Sequence, residues 1–369
     1  MQARVLELFA GGGGAGLGLE RAGWRHLASV EWVPAACATL RAAGLPAVEA
    51  DVRTLDFSPW AGRADLLWAS PPCQGGSTAG QRRGVNDDRD GWPWTLRAVA
   101  AVRPTWALCE NVLGWTFHRD GCRGDSRPEA CVGCAWERRV LPGFRALFPF
   151  VGWWTVDAAD YGVPQHRRRV ILWAGPLPLS LDPPRPSHGD PADPSLADRG
   201  LAPWRTLGDA VGDTLTRESC ERRACYPCDG SHGRACTEPW RRDAPAPTLV
   251  VGEEKGTRAH APDWDFHGGP DRASDTAFLV AGVRRIDVRE GLLLQGFPAD
   301  WPLQGTVHER YLQIGNAVPP PLSEAMGRAV LAAHRVWLDL RARGVAPDAL
   351  ADTLRRTATT LPSTLETGP

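Results

Sequence analysis

Cys73 stands directly after two prolines, in the stretch "ASPPCQGGSTAGQRRG" that runs from Ala69 to Gly84. Buried cysteines usually sit inside apolar elements, where they act as small hydrophobes. This one instead follows the apolar run "ADLLWAS", and Pro71 and Pro72 stop that run and hold the chain extended. The thiol is thereby offered at the mouth of a strand on a stiff support, as a nucleophile would be mounted. The glycines and arginines behind it read as a mobile loop with affinity for an anion.

A second stretch, "FAGGGGAG", carries G-x-G-x-x-G as Gly11, Gly13 and Gly16 between a strand and a helix. Glycines let a ligand approach the backbone closely at a helix N-terminus. Glu31 lies twenty residues past Gly11, at the end of the next strand, where an acid can hold ribose hydroxyls. This points to a nucleotide-like cofactor and leaves NAD and S-adenosylmethionine both open. Glu110, in "CENV", ends another strand, where an ordinary capping acid is the plain alternative. "GVPQHRRRVILWAG" sets Arg167, Arg168 and Arg169 at the head of a strand, and "YLQIGNAVPPP" puts a Gly-Asn turn before prolines and a helix.

The chain has ten cysteines and no secretory-signal pattern, which argues for thiols, metal ligands or a nucleophile and against disulfides. His118, Cys122, Cys131 and Cys134 form one set with zinc-ligand chemistry, and Cys220, Cys225, Cys228 and Cys236 form another. Each contains a C-x-x-C pair. Structural zinc is expected, either at both sets or at one site shared by the two pairs. Surface thiols are the bland reading. Cys37 and Cys109 are expected in the core.

The elements that must position these groups alternate along the first half. "RVLELFA", "HLASVE", "AVEAD", "ADLLWAS", "WALCENV", "WWTVDAAD" and "RRVILWAG" read as strands, with helical segments between the early ones. The expected fold is α/β, a doubly wound, mostly parallel sheet, with ligands at the carboxyl ends of its strands. Gly11, Glu31, Asp51, Cys73 and Glu110 all fall at or just past such ends. The catalytic and cofactor-binding part is expected over residues 1–175. A smaller, loop-rich domain is expected over 176–300, a return segment over 301–345 and a flexible tail over 346–369. Within the return segment a long amphipathic helix is expected from Pro321 to Arg343.

Bulk properties bound the rest. A chain of 369 residues with 43% hydrophobic and 23% charged residues suits a soluble globular protein. No apolar run is long enough to span a bilayer, so no membrane partner is expected. A net charge of -1 excludes a global basic field, so any nucleic-acid contact must use local clusters such as Arg82-Arg83 and Arg222-Arg223.

In order and spacing, these stretches resemble the cytosine-5 DNA methyltransferase family, prokaryotic or phage type. Phe9 to Gly16 resemble its cofactor loop, Pro71-Pro72-Cys73-Gln74 its nucleophile motif, Glu110-Asn111-Val112 its acid motif and Gln165 to Arg169 its arginine motif. "RRIDVREGLLLQGFP" and "YLQIGNAVPPP" resemble the two motifs after its recognition domain. The resemblance implies the S-adenosylmethionine-dependent methyltransferase fold with a target recognition domain in the loop-rich region. It implies that Cys73 adds to carbon 6 of a flipped-out cytosine, that Glu110 protonates or hydrogen-bonds ring nitrogen 3, and that Arg169 with Arg167 holds the cytosine carbonyl and a nearby phosphate. It further implies S-adenosylmethionine as cofactor, with Phe9, Gly11, Gly13 and Pro72 around it. Glu31 would take the ribose, Trp32 would stack on adenine and Asp51 would accept from its amino group. Asn316 and Val318 would complete the pocket. Duplex DNA is the implied partner. A monomer acting in the cytoplasm is expected, with a cognate restriction endonuclease as a candidate partner. An RNA cytosine-5 methyltransferase and an inactive DNA-binding relative are the alternatives. Two positions depart from the pattern: Gly76 stands where a bulky aromatic is usual, and His166 where Arg or Lys is common.

Overall fold

The computed structural model describes residues 2–72, 90–118, 122, 131–179, 182–212, 243–246, 248–249 and 287–345. Strands form where short apolar runs can be buried on both faces, as parallel sheets require. They are β1 (Arg4–Leu8), β2 (Arg25–Glu31), β3 (Ala47–Glu49), β4 (Leu66–Ala69), β5 (Trp106–Val112), β6 (Phe150–Asp157) and β7 (Arg168–Gly175). They make one seven-stranded sheet in the order β3-β2-β1-β4-β5-β7-β6. Pairs among β1 to β5 are parallel, and β7 runs antiparallel to both β5 and β6. This is the doubly wound, mostly parallel sheet expected from the strand series.

The two faces of β1 seed two cores. Leu6 and Leu8 join a layer with Trp92, Trp115, Trp136 and Phe144, whereas Val5 joins Leu19, Trp24, Trp68, Trp106 and Trp337 on the other side. Cys37 and Cys109 are fully buried, as expected for core residues. The strand order reverses between β1 and β4, and a crevice opens at such a switch point at the carboxyl ends of the strands. The glycine loop leaves β1 there, and Pro71-Pro72 leave β4 beside it.

The 23-residue helix Pro320–Ala342 closes the domain by packing on α1 (Gly14–Ala22). The approach is close enough to require glycine. A Cβ at Gly18 would lie 2.0 Å from Ser323 Oγ and 2.2 Å from the Pro320 carbonyl oxygen. Gly18→Ala is therefore expected to destabilise the fold by about 3 kcal/mol through overpacking against backbone. A lowered melting temperature checks it.

Candidate functional site

The glycine loop is strained where it leaves β1. Phe9 (φ 57°), Gly11 (φ 52°) and Gly13 (φ 86°) all take left-handed backbone, which Phe adopts only under tertiary constraint. Glu31 anchors the loop at Gly11. Its Oε2 accepts from Gly11 N at 2.8 Å, and its Oε1 accepts from Trp32 N at 2.8 Å and Val33 N at 2.9 Å. One carboxylate thus ties the glycine loop to the end of β2. A Cβ at Gly11 would meet nothing within 4 Å, so the loop faces open space. Trp32, 62% exposed, stands at the same edge. Asp51 accepts from Arg53 Nε at 2.8 Å, and the Arg53 guanidinium lies 5.6 Å from the centre of the Trp32 ring. That arginine holds the Asp51 carboxyl below its usual range.

The far wall of the loop comes from the return segment. Trp301 Nε1 donates to the Gly12 carbonyl at 2.9 Å, and a Cβ at Gly14 would lie 2.3 Å from the Val318 carbonyl oxygen. Val318 is buried, whereas Asn316, the last residue of helix Val307–Asn316, is exposed. Pro72 is exposed beside the crevice.

The acid and the arginine meet through sheet register. Because β5 and β7 are antiparallel, Val112 faces Arg169, and Glu110 lies diagonally across from Arg169 on the same face. Arg169 Nε pairs with Glu110 Oε1 at 2.8 Å, and each side chain is only 10% exposed. Asn111 Nδ2 donates to the Pro71 carbonyl at 3.1 Å, tying this pair to the support on which the next residue is carried. Cys73 and Gly76 lie outside the described residues, as do Cys220, Cys225, Cys228 and Cys236.

Arg167 goes elsewhere. It precedes β7, so strand alternation does not place it beside Arg169. Its guanidinium donates to the Leu249 carbonyl at 3.1 Å and the Gly315 carbonyl at 2.8 Å. It braces the return segment. Gln165 makes similar contacts just before that segment, donating to the Leu294 carbonyl at 3.2 Å and accepting from Leu249 N at 2.9 Å. His166 pairs with Asp157 at 3.1 Å.

Glu7 carries no signal in the sequence, where it reads as one polar residue in a strand. Its carboxyl lies buried beneath the glycine loop, accepting from Ser29 Oγ at 3.1 Å and from the Gly16 amide. Burial pushes its pKa from 4.5 up to about 8, and burial pushes neighbouring His26 from 6.5 down to about 4. The folded state therefore holds a proton on Glu7 that the unfolded chain loses above its ordinary value. Stability falls as pH rises through that window to about 8. His26 acts at the other end, and stability falls as pH drops from 6.5 through about 4. Denaturant melts of Glu7→Gln should lack the wild-type decline between pH 6.5 and 8.

The His118 set converges. The four ligand atoms of His118, Cys122, Cys131 and Cys134 lie within 4.8 Å of one another. His118 Nδ1 is 3.3 Å from Cys122 Sγ, 3.5 Å from Cys134 Sγ and 4.0 Å from Cys131 Sγ, and the Cys122 and Cys134 sulfurs are 3.8 Å apart. A tetrahedral ion with Zn–S about 2.3 Å and Zn–N about 2.0 Å needs edges of about 3.8 Å between sulfurs and about 3.5 Å from sulfur to nitrogen. The residues fit that ion. His118 Nε2 pairs with Glu137 Oε1 at 3.0 Å, the carboxylate support that metal-bound histidines commonly have.

A glycine loop at the switch point of an α/β sheet, with an acid–arginine pair on a nearby strand, suits a nucleotide-like cofactor held close to an acid. The chain matches the C-5 cytosine-specific DNA methylase family over residues 3–179 and 246–332. It belongs to that family and is a DNA (cytosine-5)-methyltransferase. It is 32% identical over 351 residues to the type II methyltransferase M.NgoMIV of Neisseria gonorrhoeae, covering 90% of this chain and 98% of the relative. It is 30% identical over 344 residues to M.Eco47II of Escherichia coli, covering 89% of this chain and 78% of the relative. Among solved structures, the Schizosaccharomyces pombe Dnmt2 methyltransferase superposes with a TM-score of 0.59 at 18% identity, covering 90% of this chain and 99% of that one. A prophage-encoded methyltransferase of E. coli gives 0.60 at 19% identity, covering 89% of this chain and 99% of that one. NAD chemistry, left open by the glycine loop alone, is thereby set aside. Among the described residues, no helix is long and apolar enough to cross a membrane.

Proposed function

We propose that this enzyme methylates carbon 5 of a flipped-out cytosine in one short duplex sequence through a covalent adduct of Cys73. The observation that carries the reading is the Glu110–Arg169 pair, tied through Asn111 to Pro71 at the edge of the crevice. Carbon 5 of cytosine is too weak a nucleophile by itself. The Cys73 thiolate adds to carbon 6, and the ring electron pair moves toward nitrogen 3, which takes a proton from Glu110. Carbon 5 becomes enamine-like and accepts the methyl group. Loss of the carbon-5 proton to a base then expels Cys73 as thiolate, and nitrogen 3 returns its proton to Glu110, which restores the ring. Arg169 orients Glu110 and offers its remaining donors to the cytosine carbonyl. Arg167 contributes through the carbonyls it braces.

S-adenosylmethionine, when bound, supplies an electrophilic methyl on a sulfonium. Phe9, Gly11, Gly13, Pro72, Asn316 and Val318 line its place. Glu31 Oε2 accepts one amide at 2.8 Å and keeps a lone pair for a ribose hydroxyl. Trp32 stacks on adenine, and Asp51 accepts from its amino group while sharing Arg53. Residues 1–175 and 301–345 carry catalysis, and 176–300 read the target sequence. The enzyme acts in the cytoplasm as a monomer. A cognate restriction endonuclease as partner is supported by relatives that are type II methyltransferases. Tritium transfer from labelled cofactor should go to duplex DNA. Transfer to tRNA with none to DNA would overturn the reading.

His118, Cys122, Cys131 and Cys134 hold one structural zinc. A closed site of this kind has no open position for chemistry, and its role is to fold the insertion. Cys220, Cys225, Cys228 and Cys236 hold a second, on the residue types alone. Elemental analysis should find about two zinc ions per chain, one per closed four-ligand set. It should find one fewer after joint replacement of Cys131 and Cys134 by Ser. Metal-free wild type contradicts both sites.

A further inference from the structure

Residues 73–89 carry the nucleophile, and the described chain resumes at Asp90. The two flanks of that segment touch. A Cβ at Gly91 would lie 2.6 Å from Pro71 Cβ and 2.8 Å from Pro72 Cδ. Where Asp90 sits therefore bears on the two prolines that precede Cys73.

Among the described residues, two groups hold Asp90. Its side chain is only 8% exposed, and a carboxylate so buried needs a cation. That cation is Arg139, which pairs with Asp90 Oδ2, while Asp90 Oδ1 accepts from Trp92 N at 3.1 Å. Arg139 belongs to the turn of π-helix Trp136–Val140, which begins two residues after ligand Cys134. The same turn presents Trp136 edge-on to Trp92, with ring centres 5.6 Å apart. The short helix Val132–Ala135, which carries Cys134, runs directly into this turn, and its Gly133 is pressed on the Phe117 backbone, where a Cβ would lie 2.6 Å from the carbonyl oxygen.

We propose that Arg139 is a positioning residue for methyl transfer: the zinc-held turn fixes its guanidinium, which pins Asp90 and so sets the point where the nucleophile-bearing segment rejoins the fold. This rests on the reading of His118, Cys122, Cys131 and Cys134 as a zinc site. Arg139 touches neither base nor cofactor in this account. It acts through Asp90 and Gly91 on the Pro71-Pro72 support that precedes Cys73.

The test uses the full chain with Arg139→Ala and Arg139→Lys, on duplex DNA carrying the recognised sequence. Four quantities are read: zinc content, cofactor Kd, kcat against KM for DNA, and amide hydrogen exchange over residues 90–99. Arg139→Ala should keep its zinc and its cofactor Kd. Its kcat should fall by about tenfold with KM changed less, as expected for a small misplacement of a reacting group. Exchange over 90–99 should quicken by about tenfold. Arg139→Lys, which can still pair with Asp90, should recover most of kcat. Removal of the metal by a chelator should reproduce the faster exchange. Wild type without zinc overturns the zinc reading and this inference together. Wild type with zinc, but with kcat and exchange unchanged in Arg139→Ala, or with Arg139→Lys as slow as Arg139→Ala, overturns this inference alone.

Discussion

Cys73→Ala should lower methyl transfer by more than about a thousandfold, because the covalent route has no second nucleophile to replace it. Cofactor binding should survive within about twofold. The separation follows from where the two functions sit. The cofactor loop is set by Glu31 bridging the Gly11, Trp32 and Val33 amides, and Trp301 seals it from the far side. Those contacts belong to β1, β2 and the return segment, whereas Cys73 leaves from β4 behind Pro71 and Pro72. The measurement is a single-turnover assay paired with calorimetric titration of cofactor. Transfer above about one-thousandth of wild type would contradict the covalent mechanism. Loss of cofactor affinity in parallel would mean that the two loops are not independent.

Glu110→Gln is the second large effect. The substitution keeps shape and an acceptor for Arg169 but removes the proton that nitrogen 3 requires. The kcat should fall by about a hundredfold to ten-thousandfold, the usual contribution of a positioned acid. Glu110→Ala should do worse, and for an added reason. Arg169 is 8% exposed, and without its anion it becomes an uncompensated buried charge. Breaking such a pair from one side costs about 3–5 kcal/mol, so the melting temperature should drop as well. Glu110→Gln also removes the anion but keeps an acceptor for Arg169, so its melting temperature should drop less. A Glu110→Gln enzyme within tenfold of wild type would remove Glu110 from the chemistry.

The sequence makes legible those groups that lie at strand ends and carry unusual residue types. Gly11, Glu31, Pro71-Pro72 and Glu110 fall where an alternating α/β chain must put its ligands, and the seven strands appear where the apolar runs stand. What pairs with what is another matter. Glu110 meets Arg169 only because β7 inserts antiparallel beside β5, a strand order that no local pattern encodes. The same limit explains Arg167. Three consecutive arginines look alike in sequence, yet the one that precedes the strand is turned onto the Leu249 and Gly315 carbonyls. Asp90 and Arg139 are 49 positions apart, and each alone reads as an ordinary surface charge. Glu7 reads as the polar half of an alternating strand, whereas the sheet buries both faces and leaves it under the glycine loop. The His118 set is legible by residue type, whereas its convergence across a 16-residue span is a tertiary property that spacing does not give.

Bisulfite sequencing of DNA from cells expressing this chain tests the central claim most directly. The account predicts cytosines protected from conversion at one fixed position within one short sequence throughout the genome, and full conversion everywhere when Cys73→Ala is expressed. Complete conversion with the wild-type chain present as folded, cofactor-binding protein would contradict it.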